Sequence, residues 1–154
     1  MGQYYFIVNL DKKQFIHPHK FGDGMKLMEF ACSSPGTMTA LAVLLSDGNG
    51  RGGGDLQSKN PIIGSWAGDR VVIAGDYADG ERFLPSVERR NLNPDEPANV
   101  NLFQWADKHF EDISEKIMAC ILGDRYVRSV MEERNEKSYD DSPLRKCFSE
   151  ATQS

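Results

Sequence analysis

Five glycines crowd the nine residues from Asp47 to Asp55, in the order Asp-Gly-Asn-Gly-Arg-Gly-Gly-Gly-Asp. Glycine loses more backbone entropy on ordering than any other residue, so no regular helix or strand runs through such a segment. The chain must therefore assemble its core from elements before and after this loop. With 154 residues it has the length of one ordinary domain. An apolar content of 40% against 27% charged residues belongs to a globular chain rather than a disordered one.

Before the loop, Tyr4, Phe6, Val8 and Leu10 alternate with Tyr5, Ile7 and Asn9, which predicts a strand over residues 3–10. Asp11-Lys12-Lys13 reads as a turn, and Gln14–His17 as a return strand ended by Pro18. Leu27, Met28, Ala31 and Cys32 have the spacing of a short helix over 25–32. After the Pro35-Gly36 break, Thr37 can cap a second helix over 38–46, apolar almost all round and hence buried.

After the loop, 61–66 and 70–75 read as a second hairpin closed at Ala67-Gly68-Asp69. Residues 76–98, punctuated by Pro85, Pro94 and Pro97, read as a long loop. Phe103, Ala106, Phe110, Ile113, Ile117 and Ile121 then mark one face of a helix over about 100–122, capped by Asn99 or Asn101 and ended by Gly123. Asp124 can start a further helix to about Glu136. The expected fold is α+β: a small, mostly antiparallel sheet from two hairpins, helices packed on one face, and a long C-terminal helix. A single domain covers 1–137, and 138–154 is a polar, frayed tail.

Cys32, Cys120 and Cys147 are odd in number and widely spaced, with no C-x-x-C pair. They point to free thiols in a reducing compartment, the cytoplasm, and against a thiolate zinc site. No apolar run approaches a membrane span, and the N-terminus lacks the pattern of a signal peptide. A net charge of −5 argues against a nucleic-acid partner.

Four groups of residues can carry chemistry. Glycine-rich backbone lets several N–H groups converge on an anion, so Arg51, Gly52, Gly53, Gly54 and Asp55 form a candidate ligand loop, with Arg51 aimed into a concave site. It is neither a Walker A loop nor a dinucleotide fingerprint. Asp47, Asn49, Gly52 and Asp55 also fall at positions of a calcium loop, but Arg51 and Ser58 stand where that loop needs ligands. Asp69, Arg70 and Asp76 flank the second hairpin and are assigned to the same ligand site. His17 and His19, two apart on extended chain, can bind a metal with Asp23. Cys32 before a helix start is a candidate thiolate.

The strings MGQYYFIVNLDKK, HPHKFGDG, SDGNGRGGGD and GSWAGDRVVIAGDYAD resemble a group of small uncharacterised bacterial or phage-type proteins, over roughly residues 1–80. That resemblance implies no activity, catalytic residue or cofactor. The residues themselves point to a domain that binds a phosphorylated small molecule or nucleotide, with turnover left open. The alternative is a non-enzymatic interaction protein, a small inhibitor or regulator of a host or phage-defence system. The partner is accordingly a small anionic ligand or a protein, and self-association is open.

Overall fold

The computed structural model describes residues 2–79, 82–83 and 100–136. Its centre is β1 (Tyr5–Asn9), which pairs antiparallel with β2 (Gln14–Ile16) on one side and with β3 (Val71–Gly75) on the other. A two-residue strand, β4 (Glu111–Asp112), adds parallel to β2, giving the order β3-β1-β2-β4. The first hairpin is as the alternation predicts. Asn9 closes it: its side-chain oxygen accepts from the N–H groups of Asp11 and Lys12, and its amide donates to Asp69.

The sheet is not built from two hairpins. Residues 61–69 run through consecutive turns, with Ser65 N–H donating to Ile62, Ala67 to Gly64 and Asp69 to Trp66. Gly64 and Gly68 adopt φ of 75° and 82°, which an extended strand does not allow. The apolar residues of this segment serve another end. Trp66 is fully buried, and the N–H groups of Gly64 and Trp66 donate to the Val43 and Leu44 carbonyls at the end of α1 (Thr37–Leu45). A helix terminus leaves its last carbonyls without internal partners, and this segment supplies them. β3 then finds its partner at β1, across the whole intervening chain.

Helices cover both faces of the sheet, where one was expected. β1 sends Ile7 to one face and Phe6 and Val8 to the other, all buried. Ile7 and Ile16 join Phe21, Phe30, Trp66 and residues of α1, α3 (Ser114–Gly123) and α4 (Arg125–Glu136) in one core. Phe6, Val8 and Phe15 join Met25, Ala74 and α2 (Leu102–His109) in the second, where Phe103 stacks on Phe6 at 4.0 Å.

The long C-terminal helix is instead two helices on opposite faces. Asn101 caps α2, accepting from Gln104 N–H, and the helix ends at His109. The backbone of 111–113 is drawn to the open edge of β2: Glu111 N–H donates to Lys13 and Ile113 N–H to Phe15. Phe103, Ala106 and Phe110 therefore pack in the second core and Ile113, Ile117 and Ile121 in the first. The apolar period is real in each half, and the halves happen to run in phase. The helix expected over 25–32 is only one 3-10 turn, Leu27–Glu29.

The buried Asp23 carboxylate shapes the connection into α1. It accepts from Ser33 N–H and from Thr37 N–H, both at 2.7 Å, the second being a donor that a helix start leaves open. Asp23 thus does the capping expected of Thr37, which is the first helical residue after Gly36. A Cβ on Gly36 would lie 2.6 Å from the Ser33 carbonyl and 2.7 Å from this carboxylate, so only glycine fits there. The loop over 76–98 and the tail over 138–154 lie largely or wholly outside the described residues. Among the described residues, no helix is long and apolar enough to cross a membrane.

Ile117 of α3 is fully buried in the first core. Its replacement by Ala is expected to destabilise the protein by about 2–5 kcal/mol in denaturant unfolding, because transfer and cavity terms add. A loss near zero would show that α3 does not pack into this core through that face.

Candidate functional site

α1 and α4 diverge beside the glycine loop and leave a cavity of about 510 Å3. Its wall is mainly apolar: Val43 from α1, Leu56, Ile121 from α3, and Val127, Val130 and Met131 from α4. The polar groups sit mostly toward the loop, where Asp47, Asn49 and Asp55 line it. The fit to α4 is set by Asp124, whose buried carboxylate caps Tyr126 and Val127 N–H and accepts from Ser58 N–H at 2.7 Å. One side chain thus ties the segment after the loop to the helix that walls the cavity.

The loop is stapled at its base. Asn49 donates from its amide to the Leu56 carbonyl and accepts from Leu56 N–H, closing a ring across seven residues of chain. Asp55 accepts from Gly50 N–H at 3.0 Å and Arg51 N–H at 2.9 Å. Gly48, Gly50, Gly52, Gly53 and Gly54 all have positive φ, and a Cβ added to any of them meets nothing within 4 Å. The glycines therefore serve the backbone path rather than close approach of another group. Converging amides do hold an anion here, and it is the chain's own Asp55 carboxylate.

Gly54 and Asp55 line the cavity, whereas Arg51, Gly52 and Gly53 stand exposed outside its lining. The Arg51 guanidinium has no hydrogen-bond or ion-pair partner among the described residues, so neither flanking carboxylate holds it toward the cavity. On its other side the loop borders a more polar hollow of about 410 Å3, lined by Gly48, Asn49, Gly50, Lys59 and Asn60 among others.

The remaining candidates are dispersed. Asp69 and Arg70 precede β3 and Asp76 follows it, about 20 Å apart along a strand. Asp69 accepts from Asn9 and from Lys12 at 2.6 Å, and these bonds hold its carboxyl below the usual carboxylate range. Arg70 donates through Nε and Nη2 to Asp11, and that bond lowers the Asp11 pKa. Asp76 accepts from Tyr4 N–H. None of the three lines the cavity.

His17 and His19 lie with ring centroids 5.5 Å apart, but His17 Nδ1 accepts from His19 N–H and caps the 3-10 turn Pro18–Phe21. Asp23 is buried and committed to Ser33 and Thr37. Among the described residues no three His, Cys, Asp or Glu side chains are grouped to hold a metal ion. The calcium reading of 47–58 fails on the same count, since Asn49 and Asp55 are spent on backbone groups. Cys32 is exposed and Cys120 is buried, where burial pushes its thiol up.

Protein-family models, curated proteins and solved structures contain no match to this chain. The cavity itself escaped the sequence reading. Its wall is drawn from three helices whose apolar residues read as ordinary core, and only the proximity of α1 to α4 turns them into a lining.

Two outcomes follow. Asp55→Ala is expected to speed hydrogen exchange across 49–56, because two amides lose their acceptor, while Arg51→Ala leaves both exchange and stability within about 0.5 kcal/mol of the parent. Equal effects would place the loop's order elsewhere. Burial, followed by the charge of His19, holds the His17 pKa below its usual value. Stability from neutral His17 is therefore full above about 6.5 and is lost as the pH falls below it. His17→Asn keeps an acceptor for the turn and should flatten this part of the stability profile, measured by denaturant unfolding. An unchanged slope would assign it to other groups.

Proposed function

We propose that the protein is a small-molecule-binding domain whose ligand places an apolar body in the cavity between α1 and α4, with its polar end at the base of the glycine loop. The observation that carries this is the cavity: its volume of about 510 Å3 falls within the roughly 300–1,000 Å3 typical of ligand sites, which pair an apolar wall with a few placed polar groups. Asp47 and Asp55 line it, and none of its described lining residues is Lys or Arg. A ligand that brings hydrogen-bond donors or a positive charge suits that rim better than one bringing a bare anion.

A phosphorylated small molecule or nucleotide is the second reading. It is supported by the Gly50 and Arg51 amides, the Arg51 guanidinium, unpaired among the described residues, and the neighbouring polar hollow with Lys59. To use those amides, a phosphate has to displace Asp55.

The test is fluorescence titration with N-phenyl-1-naphthylamine, a neutral apolar probe, beside a thermal-shift series of nucleotides and sugar phosphates. Ala42 lies on the cavity lining and is exposed. Ala42→Trp should weaken probe binding by roughly tenfold or more, about 1.4 kcal/mol, with the fold retained. No probe binding, or binding indifferent to Ala42→Trp, removes the cavity as the site. Stabilisation by phosphates that Asp55→Asn strengthens would favour the second reading.

A further inference from the structure

We propose that β3 is a self-association edge: two copies of this chain pair antiparallel along Val71–Gly75, with Ile73 facing Ile73 across a twofold axis.

The reasoning starts from the direction of the backbone groups. Leu10 N–H donates to the Arg70 carbonyl and Asp76 N–H to the Tyr4 carbonyl, each at 2.9 Å, and these bonds bracket the β1–β3 ladder. In an antiparallel ladder bonded and non-bonded pairs alternate. Even-numbered residues of β3 therefore turn their N–H and C=O groups toward β1, and Val71, Ile73 and Gly75 turn theirs outward. β3 is the end strand of the sheet, with no described strand beyond it.

Proteins usually blunt such an edge with a charge, a proline or a bulge. Here its middle residue is Ile73, 42% exposed. An edge that no described strand covers, carrying a β-branched residue, is shaped to receive another strand.

A second copy fits by symmetry and charge. An antiparallel self-pair centred on Ile73 makes it a hydrogen-bonded pair, the parity the outward groups require. Residues equidistant from Ile73 then face each other. Val71 meets Gly75, which is buried in the monomer and whose carbonyl accepts from Ala78 N–H in its own chain, so the turn after β3 has to shift for this outer pair to form. Arg70 meets Asp76, so opposite charges are apposed twice, once on each side of the axis. Arg70 spends Nε and Nη2 on Asp11, which leaves Nη1 available, and Asp76 spends one carboxylate oxygen on Tyr4 N–H. Opposite charges directly across a strand pair stabilise it, whereas a shifted register loses both contacts. A twofold interface uses one patch on both copies, so a single self-complementary strand suffices. With five residues a side, the association should grow with concentration rather than be permanent.

The experiment is sedimentation velocity of the full chain over a concentration series, with amide hydrogen exchange at its two ends. The expected result is a shift from 17.3 kDa monomer toward twice that mass, with protection of the Ile73 and Gly75 amides rising in step. Ile73→Lys brings two ammonium groups together at the axis and should remain monomeric with an unchanged melting temperature. Met28→Lys, at a residue 90% exposed elsewhere on the surface, should still associate. A wild-type chain that stays monomeric throughout overturns the proposal. So does an association that survives Ile73→Lys, or one that leaves the Ile73 and Gly75 amides unprotected. The exchange measurement uses the wild-type protein, so it decides the matter even if Ile73→Lys fails to fold.

Discussion

Burial of β1 on both faces organises this protein. Phe6, Ile7 and Val8 are consecutive and all but inaccessible to water, and consecutive strand residues point to opposite sides. One short strand therefore seeds two cores at once. Everything that covers it must arrive from both directions, so the chain crosses the sheet between α2 and α3. The crossing point is β4, where the backbone of 111–113 satisfies the free edge of β2. Ser114 reinforces the seam by accepting from His17 N–H and donating to Asp112, whose carboxyl is held low by Lys20 and Ser114 despite its partial burial.

Around this frame, short polar side chains do the work of missing regular structure. Asp23, Asn49, Asp55 and Asp124 each bond two or more backbone groups of irregular segments. A buried backbone N–H without an acceptor costs about 1–3 kcal/mol, so Asp23 makes the connection into α1 compatible with a packed interior, while Asp55 orders an exposed loop. The same economy bears on the expected sites. An Asp whose oxygens already hold amides is a poor metal ligand, and a glycine nest already filled by Asp55 is not an empty phosphate cradle.

Much of the secondary structure was legible in the chain. The period-two pattern of 3–10, the apolar run of α1, the Asn101 cap and the Asp124 start all depend on neighbours close in sequence. The second hairpin was misread because apolar residues at Ile62, Ile63 and Trp66 look alike whether they lie on a strand or on turns that close over α1. The long helix was misread because two stripes happened to share a phase, and no local signal tells that Phe110 and Ile113 belong to opposite faces.

The sequence by itself determined which segments are apolar, where backbone regularity must stop, and which side chains suit caps and turns, since these follow from local sterics and hydrogen bonding. Only the tertiary structure decided which strand lies beside β1, that helices occupy both faces, and that α1 and α4 stand apart over a cavity rimmed by the glycine loop. Those outcomes rest on contacts between residues far apart in the chain, such as Asp124 with Ser58 and Ile7 with Ile73. Pairing of that kind is fixed by the packing of the whole molecule, and no short window of residues contains it.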